Sequence, residues 1–246
     1  MRGLWKLTRT EMKLFLREPM ATFFTLVFPT MCLLLLGSMF GNKPVKQFGG
    51  LGFVDTMVPG YTAMIIATSG LLSLCTSIAS YREKGILRRL RATPLQPQAI
   101  LTAQVAVLFL MAVLGMALLI ILGKLIYGLH IPRNPLPLLP AFLLCAMSVF
   151  AVGFVLASVL PTARTAEITA MALFFPMIFL SGAVIPQALP ETVRRISQIL
   201  PLTHGVTLLR GLWAGGTWCE HLKEVCVLSG VFVVGVIVSA KTFRWE

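Results

Sequence analysis

The sequence predicts an all-α membrane protein with six transmembrane helices. Of its 246 residues, 57% are apolar and 12% are charged, whereas about a quarter of the residues in a soluble domain carry charge. A bilayer core of about 30 Å requires roughly 20 apolar residues for each spanning helix. Six runs of the chain approach that length: residues 20–40, 58–80, 99–123, 138–160, 166–187 and 222–240.

Lysine and arginine residues predict the orientation of these spans. With both termini in the cytosol, thirteen of the 21 Lys and Arg residues fall in the inner tails and connections. Positive charge favours the cytosolic side, so we expect a multi-pass protein of the cell inner or plasma membrane with both termini cytoplasmic. The net charge of +12 is spread along membrane-flanking segments, which favours contact with membrane lipids and argues against nucleic acid as a partner.

Residues 1–19 predict an amphipathic helix that lies in the inner membrane surface. Cations recur there at helical spacing along one stripe: Arg2, Lys6, Arg9, Lys13 and Arg17. The helix should end at Glu18, because a residue that precedes proline is disfavoured in helical geometry. An anchor with no further role and a helix with a working role in the protein both remain open from the sequence.

Residues 181–218 predict a re-entrant outer segment between the fifth and sixth spans. Ser181, Gly182 and Pro186 disfavour a simple continuous helix at the end of the fifth apolar run. Leu189, Val193, Ile196 and Leu200 then recur at helical spacing. The apolar patch 205–213 that follows is too short to cross a membrane. Because we find no internal repeat and no linker, we expect 1–246 to form a single transmembrane domain.

Several classes of function lack support in the residues. No Asp, Glu, Lys or Arg lies in the interior of a span, whereas ion-coupled carriers normally keep ionisable groups at membrane depth. The phosphate-binding pattern G-x-x-x-x-G-K-[ST] is absent, and so are a metal-ligand cluster and a paired-carboxylate or nucleophile motif. We therefore expect neither an enzyme nor a metal site in this chain. The remaining hypothesis is a pathway through the membrane that is driven by an energy source outside this chain.

The most informative segment is the basic loop 81–95 between the second and third spans. On a helix, Ile86, Leu87 and Leu90 form an apolar side, and five cations occupy much of the remaining surface. Gly85 supplies a flexible joint, and Thr93-Pro94 stops the helix. Binding of anionic lipid, at about 1 kcal/mol per cation, explains the charge but not the apolar side. We predict a cytosolic helix that contacts another protein.

These residues resemble a known family. Residues 82–95 resemble the signature of ABC-2 type ABC-transporter permeases, close to the daunorubicin-exporter type. The same pattern continues, in order, through residues 17–19, 28–29, 179–186, 189–190, 200–204 and 209–210. The chain departs from that pattern at Tyr81, where many members have an acid, at Ile86, where many have Thr, and at Thr192-Val193, where an aromatic residue is common.

The resemblance implies an exporter of two permeases and two ATPases. The partners would be an ABC-type nucleotide-binding ATPase, which binds ATP and Mg²⁺, and a second copy of this permease or a related one. This chain itself would bind no cofactor and carry no ATPase site. The helix within 81–95 would couple the ATPase to the spans through Arg82, Glu83, Gly85, Leu87, Arg88, Arg89, Leu90, Arg91 and Pro94.

The resemblance also implies an outer gate and a substrate path. The outer gate would include Ser181, Gly182, Pro186, Pro201, His204 and Arg210. In related permeases the first, second and fifth spans tend to line the cavity between two copies. The substrate-lining candidates here are therefore Phe24, Phe28, Met171, Phe174, Phe175 and Met177, although an apolar stripe in a span is commonly a packing or lipid-facing surface.

The implied function is export of an apolar or amphiphilic compound, such as a drug, antibiotic or lipid-like molecule, from the cytosol. Two alternatives remain open from the sequence. The first is export of a lipid-linked glycan or polysaccharide, which the same family performs. The second is a membrane scaffold that transports nothing and whose basic loop only recruits a partner.

Overall fold

The structure, a computed structural model, describes residues 2–44, 50–86, 97–132, 134–184 and 195–242. These residues are almost entirely helical, and no strand occurs among them. The helices are α1 (Arg2–Arg17), α2 (Pro19–Phe40), α3 (Phe53–Glu83), α4 (Pro97–Tyr127), α5 (Leu138–Val159), α6 (Ala163–Leu180), α7 (Pro201–Trp213) and α8 (Leu222–Thr242), with a short 3₁₀ turn at Trp218–His221 before α8.

The prediction of six transmembrane helices is confirmed. Within the described ranges, six helices are long and apolar enough to cross a membrane, namely α2, α3, α4, α5, α6 and α8. Each coincides with one of the predicted apolar runs. We keep the names inner side and outer side for the two ends of this bundle, as the charge distribution predicts them.

Two spans have an end that lies five or more residues from the end of the apolar run. Helix α3 begins at Phe53, five residues before the run, because the Asp55 carboxylate accepts a hydrogen bond from the Gly52 amide at 3.0 Å and so caps the helix. Helix α6 ends at Leu180, seven residues before the run does. Ser181 and Gly182 form a turn there, with Gly182 at a φ of +69°, a backbone conformation that favours glycine.

Helix α3 is the centre of the bundle, and most of its residues are buried, whereas α8 is the most exposed span. Close packing of α3 on α5 depends on two glycines. A Cβ atom added to Gly153 would collide with the Gly70 carbonyl oxygen, and one added to Gly70 would lie 2.7 Å from the Phe150 ring. Small residues let two membrane helices approach closely, and close packing is what holds such helices together in lipid.

The α-helical pattern is interrupted inside two spans. Helix α2 contains a π-helical turn at Phe23–Val27, and α3 contains another at Thr68–Leu74. Such turns are uncommon and occur frequently at functional sites.

Helix α7 corresponds to the apolar patch of the predicted outer segment. Pro201 occupies its first turn, where the missing amide hydrogen costs nothing, and Leu200 before it is extended. With 13 residues, α7 is too short to span a bilayer. Its apolar face, including Leu202, Val206 and Leu209, is buried in the main core with residues of α3 and α5.

Candidate coupling site, outer gate and substrate path

The N-terminal helix is joined to the inner end of the second span by one hydrogen bond. Tyr81 in the last turn of α3 donates from its hydroxyl to Oε2 of Glu11 in α1 at 2.8 Å. Glu11 is buried, and burial raises the pKa of its carboxyl, while the hydrogen bond from Tyr81 opposes that rise. The tyrosine that departs from the family pattern therefore makes a specific contact with the predicted interface helix.

Arg82 and Glu83 hold the tight inner turn between α5 and α6 from both sides. The Arg82 guanidinium donates to the carbonyl oxygens of Ser158 and Leu160 at the end of α5. The Glu83 carboxylate accepts from the Ala163 amide, the first residue of α6, at 2.8 Å. A cation at a helix C-terminus and an anion at an N-terminus both oppose the local partial charge of the helix. We name this arrangement the inner clamp.

The root of the basic loop differs from the prediction in one respect. Residues 81–83 are the last turn of α3 rather than part of a separate helix. The chain then turns at Lys84 and at Gly85, whose φ of +66° makes it the predicted joint. The other predicted coupling residues lie outside the described residues: Leu87, Arg88, Arg89, Leu90, Arg91 and Pro94.

Three of the predicted outer-gate residues line one outer cavity of about 590 Å³, namely Ser181, Gly182 and Arg210. Arg210 in α7 donates from Nη2 to the Gly182 carbonyl oxygen at 2.7 Å and from Nε to the Thr56 carbonyl oxygen at 3.2 Å. Burial lowers the pKa of Arg210 to about 10, which leaves the guanidinium charged at neutral pH. The arginine thus joins α7 to the turn after α6 and to the start of α3.

The remaining outer-gate candidates lie close by or are not described. Pro201 begins α7. His204 is buried, and its Nε2 lies 2.8 Å from the Gln198 carbonyl oxygen. This contact links α7 to the short segment that precedes it. Pro186 falls outside the described residues. Ser181, besides lining the cavity, donates to the Ile178 carbonyl oxygen at 3.0 Å and so ends α6.

A polar cluster that was not predicted from the sequence surrounds Asp55 on the outer side. Asp55 is 1% exposed, and its carboxylate accepts from Asn42 at 2.9 Å and from the His130 amide at 2.9 Å. The His130 ring nitrogen Nδ1 lies 3.2 Å from the same carboxylate. The signal was an aspartate three residues after Gly52 just before an apolar run, which is the position of a helix-capping acid. The partners in two other loops could not be read from the sequence.

The six substrate-lining candidates have different surroundings. Phe24 and Met171 line a small cavity of about 80 Å³ between α2, α3 and α6. Phe28 is partly buried against the main core, and Phe174 and Met177 are buried within it. Phe175 is half exposed on the surface of α6. The structure therefore brings two of the six to a common cavity, and a substrate-lining role stays a prediction for all six.

A polar inner cavity of about 560 Å³ lies next to this small one. It is bounded by α1, the inner half of α3, the start of α4 and the start of α6, and three carboxylates line it: Glu11, Glu18 and Glu167. Among the described residues, no group of three or more His, Cys, Asp and Glu side chains has the geometry to hold a metal ion. The meeting of these three acids was not predicted, since Glu167 is far from the other two along the chain.

Comparison with known proteins identifies transporter permeases as relatives of this chain. The chain is 22% identical over 191 residues to "Probable multidrug ABC transporter permease YbhS" of Escherichia coli (strain K12), which covers 77% of this chain and 50% of that protein. It is 25% identical over 225 residues to "Daunorubicin resistance ABC transporter permease protein DrrB1" of Streptomyces coeruleorubidus, covering 89% of this chain and 76% of that one. A third relative is "Inner membrane transport permease YhhJ" of E. coli (strain K12), at 24% over 213 residues.

The chain spans about half the length of YbhS and YhhJ, and about three quarters of DrrB1. Residues 2–213 match the family of the ABC-2 type transporter, a match that extends from α1 through α7. The inner clamp and five of the six spans lie within that range, as do the outer-gate residues Ser181, Gly182 and Arg210. This protein belongs to the ABC-2 type transporter family.

Proposed function

We propose that this chain is the membrane permease subunit of an ATP-driven exporter that moves an apolar or amphiphilic compound out of the cytosol. A separate ABC-type ATPase would bind ATP and Mg²⁺ and hydrolyse the ATP. A second copy of this permease, or a related one, would complete the pathway. Membership of the permease family supports the transport role, and the relatives named for multidrug and daunorubicin transport motivate the substrate class.

The inner clamp is the observation that carries this proposal. Arg82 and Glu83 lie at the root of the basic loop, directly before the joint at Gly85. Both side chains bind backbone atoms of the turn between α5 and α6, and not the ends of mobile side chains. A force that a partner applies to the loop would therefore be transmitted to the ends of two spans.

Helix α6 extends this connection to the outer gate. It runs from Ala163, which Glu83 caps, through Pro176 to Leu180. Its 18 residues correspond to about 27 Å at the usual helical rise of roughly 1.5 Å per residue. The turn that follows contains Gly182, whose carbonyl oxygen binds Arg210 of α7. Movement at the inner clamp would thus reach the outer cavity through one continuous helix.

The test is Glu83→Ala in the permease copurified with its ATPase. We expect ATP hydrolysis to continue while ATP-dependent substrate uptake into inside-out vesicles falls at least tenfold, because the N-terminus of α6 loses its link to the loop. Glu83→Gln keeps an acceptor oxygen and should retain more transport than Glu83→Ala. The exposed outer residue Glu220 supplies the matched control, Glu220→Ala, which should transport normally.

Normal transport by Glu83→Ala would refute the coupling role of the clamp. Absence of any nucleotide-dependent transport by the wild-type complex would instead favour the scaffold alternative. A variant that fails to assemble is recognised by size-exclusion chromatography, and Arg88→Glu on the basic loop then gives an independent measure of uncoupling.

A further inference from the structure

The polar inner cavity contains an unusual share of the acidic residues of this chain. The sequence has 21 Lys and Arg against only nine Asp and Glu, and three of those nine acids line this one cavity: Glu11, Glu18 and Glu167. Glu11 already accepts a hydrogen bond from Tyr81. Glu18 and Glu167 form no ion pair with another described residue. Two carboxylates are therefore available on a protein that is otherwise strongly basic.

A buried acceptor without a partner points into the same cavity. Gln104 of α4 lines the cavity, its side chain is 5% exposed, and its Oε1 has no hydrogen-bond partner among the described residues. A buried carbonyl oxygen that lacks a donor is costly, and such groups commonly await a ligand or water. This observation is independent of the charges, and it requires a donor of hydrogen bonds.

The polar cavity continues into the small apolar one. Glu18, Thr76 and Glu167 line both cavities. The small cavity adds Phe24 and Met171 together with Leu72. It lies where the π-helical turns of α2 and α3 approach each other, since Phe24 belongs to the first turn and Leu72 to the second.

The positively charged side chains lie at the polar end of the two joined cavities. Lys84 and Arg164 line the polar cavity, but among the described residues no Lys or Arg lines the small cavity. Arg164 lies three residues before Glu167 on α6 and still makes no ion pair with it. The two free carboxylates are therefore the charged groups that face the apolar end.

We propose that these two cavities form a binding site for an amphiphile that carries a protonated primary amine, with Glu18, Glu167 and Gln104 binding the ammonium group and Phe24, Leu72 and Met171 contacting the apolar body. The ammonium supplies both the positive charge that the carboxylates require and the N–H donors that Gln104 requires. This inference rests on the proposed export function, because it names the class of compound that the permease takes up from the inner side.

The test measures binding of three eight-carbon probes to the full-length chain in phosphatidylcholine nanodiscs, by equilibrium dialysis, after subtraction of protein-free nanodiscs. Octylammonium has charge and N–H donors, octyltrimethylammonium has the charge alone, and octyl sulfate has the opposite charge. We expect octylammonium to bind most tightly and octyl sulfate to show no specific binding. Equal binding of all three probes would overturn the proposal.

Substitutions separate the role of charge from that of the hydrogen bond. Glu18→Gln and Glu167→Gln should each weaken binding of both cations by about twofold to fivefold, because both carboxylates are exposed and water screens an exposed charge pair. Gln104→Leu should weaken octylammonium but leave octyltrimethylammonium unchanged. Glu220→Gln, on an exposed outer acid, is the matched control and should bind all probes as the wild type does. Unaltered octylammonium binding by both cavity glutamate variants would exclude the site.

Two sources can supply a primary ammonium on an apolar body: an exported compound and the headgroup of phosphatidylethanolamine. Repetition in nanodiscs that contain this lipid distinguishes them. Unchanged octylammonium binding supports a site for an exported amine, whereas loss of binding assigns the site to lipid amines and overturns its assignment to the exported compound. The binding measurement needs neither nucleotide nor ATPase, so it can fail while ATP-driven transport persists, and the converse also holds.

Discussion

Three polar residues, of which Glu11 and Asp55 are buried and Arg210 is half-buried, hold the ends of the spans to their neighbours. Glu11 accepts from Tyr81 on the inner side, Asp55 accepts from Asn42 and His130 on the outer side, and Arg210 donates to two backbone carbonyls. A buried polar group is favourable only when its hydrogen bonds are satisfied. The effect of a substitution at these positions on stability should therefore depend on whether the new side chain still supplies the hydrogen-bond acceptor or donor.

Glu11 should make stability depend on pH. Its folded-state pKa is raised by burial, so its contribution to the free energy of unfolding is present below the ordinary carboxyl pKa and is lost as the pH rises through the raised value. Glu11→Gln keeps an acceptor for Tyr81 but cannot ionise. We expect the thermal unfolding midpoint of Glu11→Gln, relative to the wild type, to increase between about pH 4 and about pH 8.

Differential scanning fluorimetry in detergent across this pH range provides the measurement. Glu11→Leu serves as the comparison, since it leaves the Tyr81 hydroxyl without its acceptor and should cost about 1–3 kcal/mol. A constant difference between Glu11→Gln and the wild type at every pH would contradict the role of burial.

Arg210 should not tolerate lysine. Lysine has no planar fork with which to reach two carbonyl oxygens at once, so Arg210→Lys should leave the oxygen of Thr56 or Gly182 without a donor and cost about 1–3 kcal/mol. Thermal unfolding compares this variant with Lys223→Met, which removes an exposed cation near the outer side. Equal midpoints for the two variants would contradict the structural role of Arg210.

At the scale of helices, packing of α3 on α5 depends on backbone contact. Gly70 and Gly153 allow the two helices to approach until the added Cβ of either residue would strike its neighbour. The contact lies at the π-helical turn of α3, which contains Gly70. The centre of the bundle is therefore held by close van der Waals contact, as expected where lipid removes the hydrophobic driving force between helices.

Gly153→Ala should disrupt this contact, because the new methyl group collides with backbone and not with a flexible side chain. Overpacking of this kind costs typically about 1–3 kcal/mol. Gly230→Ala in α8 is the matched control, since an added Cβ there meets no atom within 4 Å. Thermal unfolding of the two variants in one detergent measures the difference, and a Gly153→Ala midpoint as high as that of Gly230→Ala would refute the argument.

At the scale of the whole molecule, the orientation predicted from the cations has a direct test. Cys219 lies exposed in the connection before α8, on the predicted outer side. Cys75 and Cys145 are buried, and the half-buried Cys32 and the exposed Cys226 lie within spans, where a charged reagent does not enter the lipid. A membrane-impermeant maleimide applied to intact cells should therefore label the wild type at Cys219 and leave Cys219→Ser unlabelled.

The predicted cytosolic side can be tested at an exposed cation of α1, Arg9. Arg9→Cys in the Cys219→Ser background should react with the same reagent in inside-out vesicles and stay unlabelled in intact cells, because Arg9 is predicted to be cytosolic. Labelling of Arg9→Cys in intact cells would reverse the assigned orientation.

Much of the fold was accessible from the sequence because apolar length alone identifies a spanning helix. All six spans were predicted, and the end of α6 at Ser181-Gly182 agrees with the turn residues found there, although the apolar run extends further. The start of α3 was missed, because its first turn contains Asp55 and so lies outside the uninterrupted apolar run. Tyr81, noted only as a departure, acquired a partner 70 residues away that no local pattern indicates.

The class of this protein can be read from its six apolar runs, its basic loop and its family motifs, because each of these depends on residues close together along the chain. Which side chains meet is visible only in the folded molecule. Arg82 and Glu83 reach a turn nearly 80 residues away, and Glu18, Gln104 and Glu167 come together from three separate parts of the chain. Such contacts arise from helix packing, which depends on complementary shapes across the bundle and leaves no short-range signal.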